Sequence, residues 1–331
     1  MALPALSIHL SNHGDAARTV EDIVLAESRG VRRVWVSEDL FHRGAMPIVA
    51  AALARTRTIE LAFGVLAPQH RHPASMAMDI RSLREIGGDR IIIGLGSGVA
   101  ERGALIAQPA SPPLRIVDEA VSALRTLLAG SALDQEGVLH TSKGLRLTGA
   151  SAIPPVYVAA VGPKALQQAG RRMDGVVLTM MCSQEHARWA AGRVAAAAVD
   201  AGRGQVPVVA YLPIAVDEDG AEARDRMRGV LGYFIARWSQ VAFLSKLFLD
   251  WSELDVERMT RIREAFDAGE PLDELLPDAL VDQYCVAGTA EECHRTIEAF
   301  AEAGITEIAF DASDDLDGVT ALIAELQDGG A

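Results

Sequence analysis

The sequence predicts an α/β protein: a (β/α)8, or TIM, barrel with a helical insertion between its seventh and eighth strands. Three observations carry that expectation. Strand-like runs and helical periods alternate through eight strands along the 331 residues, the count of a closed barrel; a doubly wound sheet usually needs fewer strands and a visible switch point. The strands read as unbroken β-branched runs, Ile91-Ile92-Ile93 above all, as strands buried on both faces of a parallel sheet do. No Pro-, Ser- or Gly-rich linker divides the chain and no short-period repeat underlies it, so residues 1–331 are expected as one domain, with the insertion at about 221–282.

Each element follows from local pattern. Leu6-Ser7-Ile8-His9-Leu10 predicts strand one, and 16–29 a helix stopped by Gly30. Val34-Trp35-Val36-Ser37 is strand two; 47–57 is its helix, with Pro47 in the first turn. Strand three is 59–66, followed by a helix from Pro73 to Ile86 that Gly87-Gly88 ends. Strand four is 90–95, its helix 114–128, and 137–147 looks like a hairpin excursion. Strand five is 156–161 with a helix over 163–173, strand six 175–179 with a long helix over 184–201, and strand seven 206–216. The stretch 221–282 is helical and aromatic, with Tyr233, Phe234, Trp238, Phe243, Phe248 and Trp251. It reads first as additional packed helices, and second as a substrate lid or subunit interface at the catalytic face. Strand eight is 307–310, and 316–327 the closing helix.

Composition narrows the function. A net charge of −14 repels phosphate backbones and argues against nucleic acid. No apolar run approaches a membrane span and no signal peptide precedes Leu6, so a cytoplasmic protein is expected. Cys182, Cys285 and Cys293 are sparse and odd in number, which fits a reducing compartment. They lack ligand spacing, as do the histidines, so no metal is expected.

In a barrel the chemistry lies at the carboxyl ends of the strands. Asp89-Arg90-Ile91-Ile92-Ile93-Gly94-Leu95-Gly96-Ser97-Gly98 is the most telling of these. Its glycines allow a tight turn and let a ligand lie against bare peptide groups. It departs from the dinucleotide fingerprint G-x-G-x-x-G: Val99 stands where the third glycine belongs, and 101–113 does not read as a helix. Ser97 in a Gly-Ser-Gly run lacks a matched base and reads as part of a backbone loop rather than a nucleophile. Glu38-Asp39 ends strand two; adjacent carboxylates in a partly buried mouth suit proton transfer. The same pair could equally cap a loop. His13, His42, His70 and His72 cluster behind strands one to three. Gly162-Pro163-Lys164 opens a helix after strand five and predicts an anion site at its free amides.

Together these residues resemble the luciferase-like family of flavin and deazaflavin oxidoreductases. The resemblance rests on Val34-Trp35-Val36-Ser37-Glu38-Asp39, 50–58, Phe63-Gly64-Val65, Arg71-His72-Pro73, 88–98, Gly162-Pro163-Lys164-Ala165-Leu166 and Gly288-Thr289-Ala290-Glu291. It spans residues 6–325, and the run from Val158 to Leu166 with Arg71-His72-Pro73 is most similar to the methylenetetrahydromethanopterin-reductase branch. The resemblance implies a (β/α)8 barrel that binds coenzyme F420, with FMN as the alternative. It also implies a cis peptide at Gly64-Val65, in a bulge of strand three behind the cofactor ring. The implied cofactor-binding set is Asp39, Gly64, Val65, Ala67, Gly96, Ser97, Gly98, Ala160, Val161, Gly162 and Pro163, and the candidate catalytic set is Asp39, Glu38, His13 and His42.

Two departures bear on substrate. Many members carry His where this chain has Asp39, and the sugar-phosphate dehydrogenases of the family carry Glu where it has Val99, which argues against glucose 6-phosphate. The expected activity is hydride transfer between F420 and an unidentified small organic molecule by a homodimer. An FMN-dependent monooxygenase is the alternative, and a non-catalytic flavin-binding barrel the third.

Overall fold

In a computed structural model, residues 3–108, 112–313 and 315–328 are described. Eight strands form the barrel: β1 Ala5–Leu10, β2 Arg33–Val36, β3 Glu60–Phe63, β4 Ile91–Leu95, β5 Val156–Ala159, β6 Gly175–Val177, β7 Val208–Leu212 and β8 Glu307–Asp311. They close in the order β1-β8-β7-β6-β5-β4-β3-β2. The described pairs are parallel: Val34 faces Leu61, Leu61 faces Ile91, Ile93 faces Val156, and Ala309 faces Tyr211. Ile91, Ile92, Ile93 and Leu95 are buried, as the isoleucine run requires of a strand covered on both sides.

The chain divides into two compact units. The first comprises residues 9–177. Its helices Ala16–Ser28, Ala45–Arg55, Pro73–Gly87 and Pro113–Leu128 cover their strands with apolar faces, Ile23, Val49, Leu53, Ile80 and Leu124 all buried. Asp15 and His72 cap two of them, accepting from the amides of Arg18 and Ala74 at 3.0 and 3.1 Å. The hairpin expected at 137–147 begins earlier, as the antiparallel pair Leu133–Glu136 and Thr141–Leu145.

The second unit comprises residues 1–8 and 178–331. Here the single seventh strand expected over 206–216 is corrected to two. Pro213, with no N–H to donate, ends β7 at Leu212. The continuation Ile214–Val216 leaves the barrel and pairs in parallel with Val286–Gly288. Between these pieces lie helices Gly220–Trp238, Ala242–Leu249, Val256–Ala268 and Asp278–Tyr284. They share a core of their own, in which Leu231, Ile235, Phe248, Ile262, Leu276 and Tyr284 are buried. Phe248 and Tyr284 pack at 5.5 Å between ring centroids, and Trp238 meets Phe234 edge-on at 4.7 Å. Most of the segment's aromatic content is therefore spent on packing, while Tyr233 and Phe243 remain exposed. Helix Ala290–Glu302 follows, started by a capping box of Thr289 and Glu292. No described helix is long and apolar enough to cross a membrane.

Candidate active site

The residues singled out at the strand ends fall into three groups, all within the 9–177 unit. The first lies where β1 and β2 end. Asn12 is fully buried, and its amide nitrogen donates to the carbonyl of Asp39 at 3.1 Å while its oxygen accepts the Asp39 N–H at 3.1 Å. That reciprocal pair fixes the Asp39 backbone. The Asp39 carboxylate is half-exposed and held on both sides: Oδ2 lies 2.8 Å from Nε2 of His13, and Oδ1 accepts from Nη1 of Arg102 at 2.9 Å. A carboxylate only accepts here, so Nε2 carries the proton of the first bond. His42 stacks on His13, with centroids 3.9 Å apart and planes 19° from parallel. Arg43 donates to the His13 carbonyl. Burial pushes the His42 pKa below the usual imidazole value, and the charges of His13, Arg102 and Arg43 push the same way against the opposing pull of Asp39. On a chain of net charge −14, this corner gathers two imidazoles and two guanidiniums around one carboxylate.

Glu38 and Asp39 turn to different partners. The Glu38 side chain is nearly buried, with Oε1 2.8 Å from Nη1 of Arg71 and Oε2 accepting from Nη2 at 3.0 Å. Oε2 also accepts the Ala45 N–H at 3.1 Å. Helix Ala45–Arg55 has Gly44 at its cap, with no side chain to close the first turn, and Glu38 does that work from a distance. Its geometry is that of an anchor between the loops after β2 and β3.

The second group lies between β3 and β4. The Gly64-Val65 peptide is cis, at the position the resemblance implied. After it, Leu66 rejoins β4, its N–H donating to the Gly94 carbonyl at 2.8 Å and its carbonyl accepting from Gly96 N at 3.0 Å. Phe63 and Val65 account for the glycines opposite. A side chain on Gly94 would drive into the Phe63 carbonyl oxygen, and a Cβ on Gly96 would stand 2.6 Å from Cγ2 of Val65 and 3.2 Å from Cβ of Ala159. Gly94 and Gly96 are thus a packing seam before they are a ligand loop. Gly98 differs: it is exposed and at φ +66°, left-handed backbone that favours glycine. Ala67 is buried beside it, and the Gln69 amide donates to the Ser97 carbonyl.

The expectation that 101–113 lacks a helix is corrected here. Ala100–Ala104 forms one turn of helix, too short to stand on propensity and held by tertiary bonds, Arg102 to Asp39 and, just beyond, Gln108 to the Gln69 carbonyl. Residues 109–111 of that stretch lie outside the described residues, and Pro113 opens the next helix.

The third group follows β5. Ala160 is buried, its N–H donating to the Val177 carbonyl at 3.1 Å. Val161 is half-buried, and Gly162 and Pro163 are exposed. Gly162 caps helix Pro163–Arg172 with no side chain, and a Cβ there would meet nothing within 4 Å. The first free amides of that helix therefore border open space. Ser37 Oγ and His70 Nδ1, at the ends of β2 and β3, are buried with no hydrogen-bond partner, and burial also lowers the His70 pKa. Two such buried polar atoms, in the loops after β2 and β3, suit a polar ligand that the protein itself does not supply.

Asp39, His13 and His42 are thus brought together; Gly64, Val65, Ala67, Gly96, Ser97 and Gly98 meet in the seam; Ala160 to Pro163 form the open turn. His70 and His72 stand apart from the Asp39 corner, His72 capping its helix and packing on His140 at 4.6 Å. Sequence reading missed Arg102 and the partnership of Arg71 with Glu38. Arg71 stood inside a noted motif, whereas Arg102 sits on a single turn too short to show a period. Among the described residues no group of three or more His, Cys, Asp or Glu is placed to hold a metal, and all three cysteines are buried and free.

A family model described as luciferase-like monooxygenase matches residues 1–307. The 5,10-methylenetetrahydromethanopterin reductase of Methanolobus tindarius is 28% identical over 289 residues, 86% of each chain. The F420-dependent glucose-6-phosphate dehydrogenase of Beutenbergia cavernae is 26% identical over 303 residues, 87% of this chain and 84% of that one. Among solved structures, the coenzyme F420 dependent tetrahydromethanopterin reductase from Methanopyrus kandleri superposes with a TM-score of 0.86 over 98% of each chain at 22% identity, a likeness of fold.

Proposed function

Because the chain is an oxidoreductase belonging to the luciferase-like monooxygenase family, we propose that it moves a hydride between coenzyme F420 and a small organic substrate. The observation that carries this reading is the kind of relative it matches over most of its length: methylenetetrahydromethanopterin reductases and F420-dependent dehydrogenases. Bound F420 supplies or accepts a hydride at C5 of its deazaflavin ring.

The residues present fit such a group. The open amides after Gly162 suit an anionic tail. Ser97, Gly98 and the Gly64-Val65 segment offer backbone for a flat ring to lie against, with Ala67 buried beside Gly98. Ser37 Oγ and His70 Nδ1 supply buried polar atoms in need of a partner. Asp39 holds the proton-handling position, its backbone fixed by Asn12 and its carboxylate held by His13 and Arg102. His13, bonded to Asp39, gives a route by which a proton reaches solvent. Glu38 serves by locking the loops that carry Asp39 and His70.

The family model's own description favours a second reading, an FMN-dependent monooxygenase. Incubating the purified protein with F420 and with FMN, desalting, and recording spectra of what is retained separates the two. Retention of F420 over FMN is expected; retention of FMN alone would replace the first reading by the second.

A further inference from the structure

We infer that Arg102 is a positioning residue, which fixes the Asp39 carboxylate against His13 and ties it to the glycine seam through the single helical turn that carries it. The inference rests on the reading of Asp39 as the proton-handling group. Three observations carry it. The Asp39 carboxylate has its two oxygens divided between His13 at 2.8 Å and Arg102 at 2.9 Å, so removing either partner frees the carboxylate to rotate about its own bond. Asn12 fixes only the backbone of Asp39, leaving the side chain to these two. And the turn Ala100–Ala104 starts directly after Gly98 and Val99, while Gln108 beyond it donates to the Gln69 carbonyl at 2.6 Å and Gln69 donates to Ser97. The segment is thus strapped at two points, to the loops after β2 and β3, and Gln69 in turn ties the latter to Ser97 after β4. A ligand that moves Ser97 or Gly98 moves the anchor of Asp39 as well.

Arg102 and Asp39 are each about 41% exposed, so their pairing contributes little to stability and much to orientation. Lys in place of Arg would keep the charge but lose the planar fork that aims at one carboxylate oxygen.

His42 reports on this corner without any substrate. The charged groups facing it are His13, Asp39, Arg102 and Arg43. Its imidazole resonance is followed by NMR against pH in the wild type, Arg102→Gln, Arg102→Lys, Asp39→Asn and the double variant Arg102→Gln/Asp39→Asn. Losing Arg102 removes a cation and raises the His42 midpoint; losing Asp39 removes an anion and lowers it. Each shift is expected to be on the order of half a pH unit. If Arg102 acts through Asp39, the two shifts fail to add in the double variant; a charge acting independently gives additive shifts and overturns the inference. Arg102→Lys is expected to restore the midpoint only in part, and full restoration would also overturn it. F420 titrations on the same samples keep the two readings apart. Absent F420 binding with non-additive shifts sinks the cofactor proposal and spares Arg102; normal F420 binding with additive shifts does the reverse.

Discussion

Replacing Gly96 by Ala separates packing from ligand binding in the run that first suggested a ligand loop. The added Cβ would lie 2.6 Å from Cγ2 of Val65 and 3.2 Å from Cβ of Ala159. Neither atom is the tip of a flexible side chain: Val65 is β-branched, and Ala159 ends β5. Overpacking of this kind costs about 1–3 kcal/mol. Spread over a chain of 331 residues, that lowers the melting temperature by about 1–4 °C. The loss should appear by scanning fluorimetry and as a lower urea midpoint. Two companions sharpen the test. Val65→Ala in the Gly96→Ala background removes the opposing methyl groups and should recover most of the loss. Gly162→Ala, where a Cβ meets nothing within 4 Å, should leave stability within about 0.5 kcal/mol. Equal melting temperatures for Gly96→Ala and wild type, or no rescue by Val65→Ala, would refute the assignment of Gly96 to the seam.

Other outcomes follow from the same geometry. Asp39→Asn should cut turnover on an identified substrate about 10²–10⁴-fold with F420 affinity changed far less; affinity falling in step with rate would mean Asp39 mainly holds the ring. Glu38→Gln, which weakens the Arg71 pair and the Ala45 cap, should destabilise by about 1–3 kcal/mol in urea unfolding; an unchanged midpoint would deny it the anchoring role. Burial works against the Glu27 carboxylate, yet the amides of Thr58, Ile59 and Arg57 and the Thr58 hydroxyl outweigh it and bring its pKa from 4.5 to about 2. A depressed carboxylate stabilises above its unfolded value and loses that contribution as pH falls toward the folded one. Stability should therefore drop between pH 4.5 and about 2, and Glu27→Gln should flatten that slope; an unchanged slope would rule the contribution out.

The barrel was legible because its strands are buried on both faces: Ile91-Ile92-Ile93 and Val34-Trp35-Val36 cannot be amphipathic helices, and Gly87-Gly88 and Gly30 mark the turns between. Pro213 was equally visible, but an apolar run on both sides of it masked the break, and only the pairing of Ile214–Val216 with Val286–Gly288 explains where the second half goes. Of the proposed site, Asp39 and Gly162 stand out in the sequence by their places at strand ends. The role of Gly94 and Gly96 does not, because it is set by the Phe63 carbonyl and the Val65 side chain, which stand far back along the chain, on and just beyond the neighbouring strand. Arg102 escaped for a similar reason: its partner Asp39 lies 63 residues earlier, and one helical turn leaves no pattern to read. The adjacency of Glu38 and Asp39 suggested proton transfer or a loop cap by the pair, whereas successive side chains diverge and here meet different arginines, Arg71 and Arg102.

The most direct test of the account is a crystal structure of the protein grown with F420. The account predicts the deazaflavin ring against the Gly64-Val65 bulge within reach of Asp39, with the anionic tail at the amides following Gly162. A ring bound away from Asp39, or a tail that leaves the Gly162 turn untouched, would contradict it.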